Sequence, residues 1–256
     1  MDHLDRVRIA YKKLKSSVFF DKTQLPLRDK ITLFETGRIE KQLSELSTAL
    51  FKGEKWAEYE NKILNSMDIL VYPKKLVSIE SDTAIFNGDS VPVEVDKPQY
   101  FIDLSVEGHI LSVLWVLSIG LELDKNSGED NPDGMYEHSY GNRLRKKLIN
   151  PETEDITYSP GLFEPYFSQY ESWRDYGLEQ AKNRLDDKKD ALILTLDFKS
   201  FYYSVDLKGD VFESLLCKIP ELKRKEWHSR INNFVFHVIE KYSNLLRACP
   251  LSLQNL

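Results

Sequence analysis

The sequence predicts an α+β protein with a helical N-terminal part. Three observations predict it. Apolar residues recur at three- and four-residue steps up to about Leu70, short alternating segments replace that pattern between residues 71 and 103, and one continuous apolar run, 191–196, stands between helical stretches.

Leu4, Val7, Tyr11, Leu14 and Val18 make the first amphipathic stripe, which Pro26 stops after a short connection. Ile39, Leu43, Leu46 and Leu50 make a second, Gly53 breaks it, and Trp56, Tyr59, Ile63 and Met67 make a third. Composition changes at Val71, Tyr72 and Pro73. Strand-like segments follow at 76–79, 83–86 and 91–95, with a hairpin turn at Asn87, Gly88 and Asp89 and a further strand at 100–103. Ser105 caps a helix carrying Val106, Ile110, Val113, Leu114 and Leu117, and Glu107 sits in its first turn, where the dipole favours an anion.

Residues 124–134 are polar and rich in turn formers, so they read as a loop. A basic cluster, Arg143, Arg145, Lys146 and Lys147, and a second loop precede a long helix with Phe167, Tyr170, Trp173, Leu178, Ala181 and Leu185. On that stripe Trp173 and Tyr170, like Trp115 on its own helix, read as core residues. The run 191–196 then reads as a strand buried on both faces, because it is short, apolar throughout and bounded by charge. Val211, Leu215 and Leu216 fit a short helix ended by Pro220, and Trp227, Ile231, Phe234, Val238, Tyr242 and Leu245 fit the last one.

A chain of 256 residues, 41% hydrophobic and 30% charged, is long enough for one large domain or two small ones. The longest apolar candidate for a membrane span, 110–123, is interrupted by Ser112, Ser118, Gly120 and Glu122, and the N-terminus lacks a secretory signal, so a cytoplasmic location is expected. Cys217 and Cys249 read as plain thiols, and the five scattered histidines make no zinc pattern. A net charge of −6 speaks against a surface that attracts nucleic acid everywhere. Local basic clusters remain. Those at Lys182 and Arg184, at Lys188 and Lys189, and at 223–225 read as solvated faces, whereas Lys74, Lys75 and the Arg143 cluster sit at strand ends or loops suited to phosphate contacts.

Asp197 closes the apolar run and is followed five residues later by Tyr202. A strand that delivers one carboxylate at its tip, with an aromatic wall beyond, suits a divalent metal and a sugar. An aspartate in that place also serves as a helix cap or turn residue, and Tyr202 as a core aromatic.

The stretch Asp197-Phe198-Lys199-Ser200-Phe201-Tyr202-Tyr203-Ser204-Val205 resembles motif A of reverse transcriptases. Upstream, Ser139-Tyr140-Gly141-Asn142-Arg143-Leu144 resembles the Ser-x-Gly-x-Arg block of group II intron and related bacterial enzymes. Residues 99–117 and the pair of blocks at 163–167 and 173–175 are similar to the defence-associated, abortive-infection type. The resemblance covers roughly residues 71–211. Around Arg143 the usual Arg-Pro pair is missing, as is the fingers Arg-Pro-Ile near Pro98, and neither the Gly-rich motif B nor the aromatic-x-Asp-Asp motif C occurs.

The resemblance implies right-hand polymerase fingers and an incomplete palm. The domains expected are a helical extension over 1–70, a fingers-like region over 71–189 and the start of a palm over 190–256. It implies an RNA-directed DNA polymerase of an antiviral defence system, with RNA template, DNA product and deoxynucleotide triphosphates as partners and no membrane. Asp197 would bridge two Mg2+ ions, the backbone carbonyl of Phe198 would complete the metal site, and Tyr202 would crowd a 2′-hydroxyl. Arg143 would hold the incoming nucleotide, with Lys74, Lys75 and Arg145 as weaker template or phosphate contacts. One carboxylate cannot hold a metal pair, so the chain alone is expected not to polymerise: it reads as the product of a truncated or frameshifted gene, or as one half of a split enzyme whose second polypeptide supplies motifs B and C. Two rivals stand beside this reading: a non-catalytic protein that binds RNA or a partner through a fingers-like surface, and an unrelated α+β domain in which Asp197 is structural.

Overall fold

The computed structural model describes residues 2–20, 24–76, 95–125, 141–145, 148, 150, 156–196 and 209–249. The fold is mostly helical with a small antiparallel sheet, an α+β arrangement in the general sense. The helices are α1 (His3–Phe20), α2 (Leu25–Thr36), α3 (Ile39–Ser47), α4 (Trp56–Asn65), α5 (Val106–Trp115), α6 (Leu121–Lys125), α7 (Tyr166–Asp186), α8 (Gly209–Leu216) and α9 (Glu226–Ala248). Strands β1 (Asp68–Leu76) and β2 (Val95–Asp103) pair antiparallel, with Asp68 opposite Asp103 and Leu76 opposite Val95.

The core is one apolar cluster that runs from Val7 on α1 through Leu43 and Leu46 on α3 and Ile110 on α5 to Ile231, Phe234 and Val238 on α9. Segments from the beginning, middle and end of the chain therefore share one interior. The stripe on α1 is buried as its spacing requires, and the Ser105 hydroxyl caps α5 by accepting from Gly108 N at 3.2 Å.

After α3 the helix widens into a π-helical turn, Thr48–Lys52, closed by Gly53 in the left-handed region at φ 76. Arg230 of α9 donates to the Leu50 carbonyl at 2.8 Å, which ties this turn to the last helix.

One helix the sequence reading does not contain is α2. Pro26 lies in its first turn, where a missing N–H costs nothing, so this proline helps start a helix carrying Leu27, Ile31 and Phe34 into the core. A second correction concerns the apolar run after Ser105. The helix continues through a π-helical turn, Val116–Gly120, and the span Val106–Asp124 reaches 19 residues at a mean hydropathy of 1.5, long and apolar enough to cross a membrane by length and composition. Ser112 and Ser118 do not interrupt it because their hydroxyls donate back to the carbonyls of Gly108 and Leu114. Its Ile110, Leu111, Val113, Leu114 and Leu117 lie in the core.

In the hairpin, Pro73 faces Pro98, and since neither has an N–H to donate, the ladder becomes irregular just beyond, between Pro73 and Lys75. The expected turn at 87–89 and the strands at 76–79, 83–86 and 91–95 lie outside the described residues, save Leu76 and Val95 at the strand ends. Tyr242 of α9 donates to the Tyr100 carbonyl at 3.2 Å and fastens the sheet to the bundle.

Two expectations fail over 166–196. Helix α7 forms as predicted, yet none of its residues is buried, and Tyr170 and Trp173 are exposed instead of core. The run 191–196 has no strand partner among the described residues and lies in solvent, with Leu192 94%, Leu194 74% and Leu196 76% exposed. Apolar composition gives the segment a reason to be buried, but no described element of the chain covers it. Trp115 does pack against the core, as expected.

Candidate functional site

The site expected from the sequence joins Asp197, Phe198 and Tyr202 to Arg143. Asp197, Phe198 and Tyr202 lie outside the described residues, as do the side chains of Lys74 and Lys75, whose backbones belong to β1. Arg143 and Arg145 are described, and both flank a short bridge in which Leu144 pairs with Phe163. Backbone bonds extend the bridge: Arg145 N donates to the Leu162 carbonyl at 2.9 Å and Glu164 N to the Arg143 carbonyl at 2.8 Å. Leu144, Leu148, Ile156 and Leu162 bury their side chains beneath it and anchor this loop layer on the core. Asn142 enters the bridge with a positive φ of 53, a conformation asparagine tolerates better than most residues.

The two arginines reach different acceptors within the chain. Arg143 Nε lies 2.8 Å from the Asp124 carboxylate at the end of α6, a half-buried ion pair. Arg145 donates to the carbonyls of Phe163 and Pro160, both at 2.9 Å. Gly161, at φ 77, makes room for that guanidinium, because a Cβ there would stand 3.2 Å from Arg145 Cζ. Arg145 is thus a clamp that holds residues 160–163 in place.

Sequence reasoning missed the other cation in this region. Lys13 of α1 is 2% exposed, and its Nζ donates to the Ser159 carbonyl at 2.7 Å. Burial, and then the charge of Arg145, push its pKa down to about 8. Lys13 stands among several lysines in a helix, and nothing in that spacing marks it as the buried one. Beside it, Lys12 lies over the ring of exposed Tyr158, with Nζ 4.8 Å from the ring centre.

A shallow cleft between α2, the hairpin and α5 contains Lys30, Asp103 and His109 beside Tyr72 and Phe101. Lys30 is bonded to the Asp103 carboxylate and to the Leu104 carbonyl. His109 is held neutral, its pKa lowered to about 4 by burial first and by Lys30 second.

Among the described residues no group of three His, Cys, Asp or Glu side chains could hold a metal ion. Asp197 and the Phe198 carbonyl alone would supply two of the six oxygens that Mg2+ takes in octahedral geometry. A metal pair therefore needs donors beyond these two residues. Cys217 and Cys249 stand outside any disulfide, as expected. Lys189 pairs with Asp187 at 3.1 Å in an exposed position, in keeping with a solvated face.

Comparison with family models, with curated proteins and with solved structures found no significant match to this chain.

Proposed function

We propose that this chain is the front part of a reverse-transcriptase-like polymerase, an RNA-directed DNA polymerase of an antiviral defence system, incomplete for catalysis by itself. The observation that carries the reading is the segment around Asp197. The motif-A-like pattern from Asp197 to Val205 follows an apolar run, 191–196, that no described element covers, as a palm strand without its neighbours would be. The blocks at Arg143 and at 163–175 stand upstream in the order that such an enzyme requires.

In this reading Asp197 and the Phe198 carbonyl would be among the ligands of two Mg2+ ions, which would supply charge stabilisation to an in-line displacement at phosphorus. Tyr202 would exclude a 2′-hydroxyl by bulk. Arg143 serves as the nucleotide cation by exchanging Asp124 for a phosphate, both being anionic acceptors. Lys74 and Lys75 offer weaker backbone contacts, and Arg145 supports the loop.

A non-catalytic partner-binding protein is the second reading, favoured by the engagement of Arg145 with carbonyls of its own chain. Primer extension separates the two. The chain is assayed alone and together with a separately expressed polypeptide carrying the remaining two carboxylates. Extension of an RNA-templated primer only in the mixture, lost in Asp197→Asn, supports the enzyme. Failure of the mixture while RNA or protein binding persists supports the second reading. Extension by the chain alone would overturn its incompleteness.

A further inference from the structure

We infer that the first turn of α9, with Arg6, Arg224 and Lys225 around it, binds a dianionic phosphoryl group. None of the residues assigned to the polymerase reading takes part, so the two stand or fall separately.

Helix α9 is 23 residues long, and its first turn is the positive end of its dipole. Among the described residues the N–H groups of Glu226 and Trp227 have no acceptor. Lys225 at the N-cap has no side-chain acceptor to offer them, and Glu226, the acid in that turn, reaches Arg230 at 2.8 Å instead.

A buried imidazole adds a third free donor. His228 is 7% exposed, and its Nδ1 accepts the Lys225 N–H at 2.9 Å, so the neutral ring carries its proton on Nε2. Among the described residues that Nε2–H has no acceptor, and it is not one of the unpaired polar atoms sealed from solvent. The bond to Lys225 N holds the ring at the mouth of the helix.

Three cations stand around the same ring. Arg6, Arg224 and Lys225 each oppose the protonation of His228, Arg6 most strongly. Arg6 belongs to α1, and a chain of rings brings it here: His3, one turn before it, stacks on Phe51 at 4.3 Å, Phe51 meets Trp227 at 4.9 Å, and Trp227 meets His228 at 3.8 Å. The half-buried Arg6 guanidinium has no hydrogen-bond or ion-pair partner among the described residues. Its acidic neighbours on α1 are engaged elsewhere, Asp2 accepting Asp5 N at 2.6 Å and Asp5 pairing with Arg8 at 3.2 Å. Arg224 gives one N–H to the Ile219 carbonyl at 3.3 Å and buries its Nε without a partner.

Like charges gathered around a neutral imidazole repel one another, and a bound anion removes that cost. Forked guanidinium N–H groups beside the fixed N–H groups of a helix end suit the oxygens of a phosphate. Three positive charges and a helix dipole favour a dianion over a singly charged phosphodiester. The group is therefore a terminal phosphate, free or esterified.

The test is nuclear magnetic resonance of the full chain at about pH 7.5, where phosphate is mostly dianionic, following the histidine rings as inorganic phosphate replaces chloride at constant ionic strength. His228 should shift and saturate with a Kd of about 1 mM or below, and phosphate should raise the thermal midpoint. Arg6→Gln should weaken binding by about 10-fold or more with an unchanged melt in chloride, since its guanidinium has no partner to lose. Arg224→Gln should weaken binding similarly, and Lys41→Gln, exposed on α3, should leave it unchanged. Adenosine 5′-monophosphate distinguishes the sources: binding about 10-fold or more tighter than inorganic phosphate assigns the group to a nucleotide, and anything less assigns the free anion. A His228 ring indifferent to about 20 mM phosphate, or full affinity in both arginine variants, would overturn the inference.

Discussion

The indole Nε1 of Trp115 donates to Oδ1 of Asn232 at 3.0 Å, joining α5 to α9 across 117 residues of sequence. Asn232 is fully buried, and its Nδ2 donates in turn to the Phe212 carbonyl on α8 at 2.7 Å. One side chain thus links three helices.

Asn232→Leu keeps the heavy-atom count and branching, with somewhat bulkier methyl groups, and removes both bonds, leaving an indole N–H and a carbonyl without their partner. Unfolding in urea should show a loss of about 2–4 kcal/mol. Trp115→Phe should cost less, and the double variant should fall short of the sum, because the two changes share one bond. Additive losses would mean that the two residues act independently.

Lys13 should make stability rise with pH. Its pKa is lowered from 10.5 to about 8 in the folded chain, chiefly by burial and next by Arg145. Between those values the unfolded chain binds the extra proton, so unfolding becomes harder as pH increases through that window, and the gain is complete above 10.5. Lys13→Met removes the buried charge and loses one hydrogen bond to the Ser159 carbonyl. The variant should be more stable at pH 7 by about 1–2 kcal/mol and should lack the rise between about pH 8 and 10. Denaturant melts at both ends of the window check it, and a variant weaker at pH 7 would contradict it.

Acid should destabilise the fold through two histidines. His228 is held near pKa 4 by burial first and Arg6 second, and its Nδ1 accepts the Lys225 N–H at 2.9 Å, which only the neutral ring can do. His109 in the hairpin cleft is also near 4. Below 6.5 the unfolded chain takes up these protons while the folded chain refuses them, so stability falls as pH drops from 6.5 towards 4. The slope approaches about 1.4 kcal/mol per pH unit for each histidine. His228→Gln should remove about half of it, measured as urea midpoints across that range.

What the sequence discloses here depends on how far away the cause lies. The stripe on α1 and the Ser105 cap are local patterns, and both are found in the structure. Helix α2 is equally local: Leu27, Ile31 and Phe34 have the spacing of one face, but Pro26 reads as a stop although it sits in the first turn. The run 191–196 shows the opposite limit. Its residues say that the segment gains by burial, and they say nothing about which element supplies the cover. Lys13 and Arg145 are harder still, because their acceptors, Ser159, Pro160 and Phe163, are carbonyls whose positions depend on long-range packing. Arg143, the cation expected at the nucleotide, is paired with Asp124 in the chain, and that ion pair has no signal in the sequence because its two halves lie on either side of a long polar loop.

Gly108 gives a case in which helix propensity and packing predict opposite signs. Glycine inside a helix is worse than alanine by about 1 kcal/mol, so Gly108→Ala in α5 should stabilise if propensity decided the outcome. The added Cβ, however, would stand 2.5 Å from Leu104 Cγ, 2.7 Å from its Cδ2 and 3.0 Å from Ile63 Cγ2. Leu104 and Ile63 are both buried, so neither side chain has free space to move into. Relief requires α5 to shift away from the residue that leads into it and from α4 together, at a cost of about 1–3 kcal/mol typical of overpacking. Packing therefore wins, and Gly108→Ala should lower the thermal midpoint by several degrees. Adding Leu104→Ala should recover part of that loss by removing the two closest atoms, whereas an exposed helical glycine such as Gly177, where an added Cβ would meet nothing within 4 Å, should gain stability from the same change.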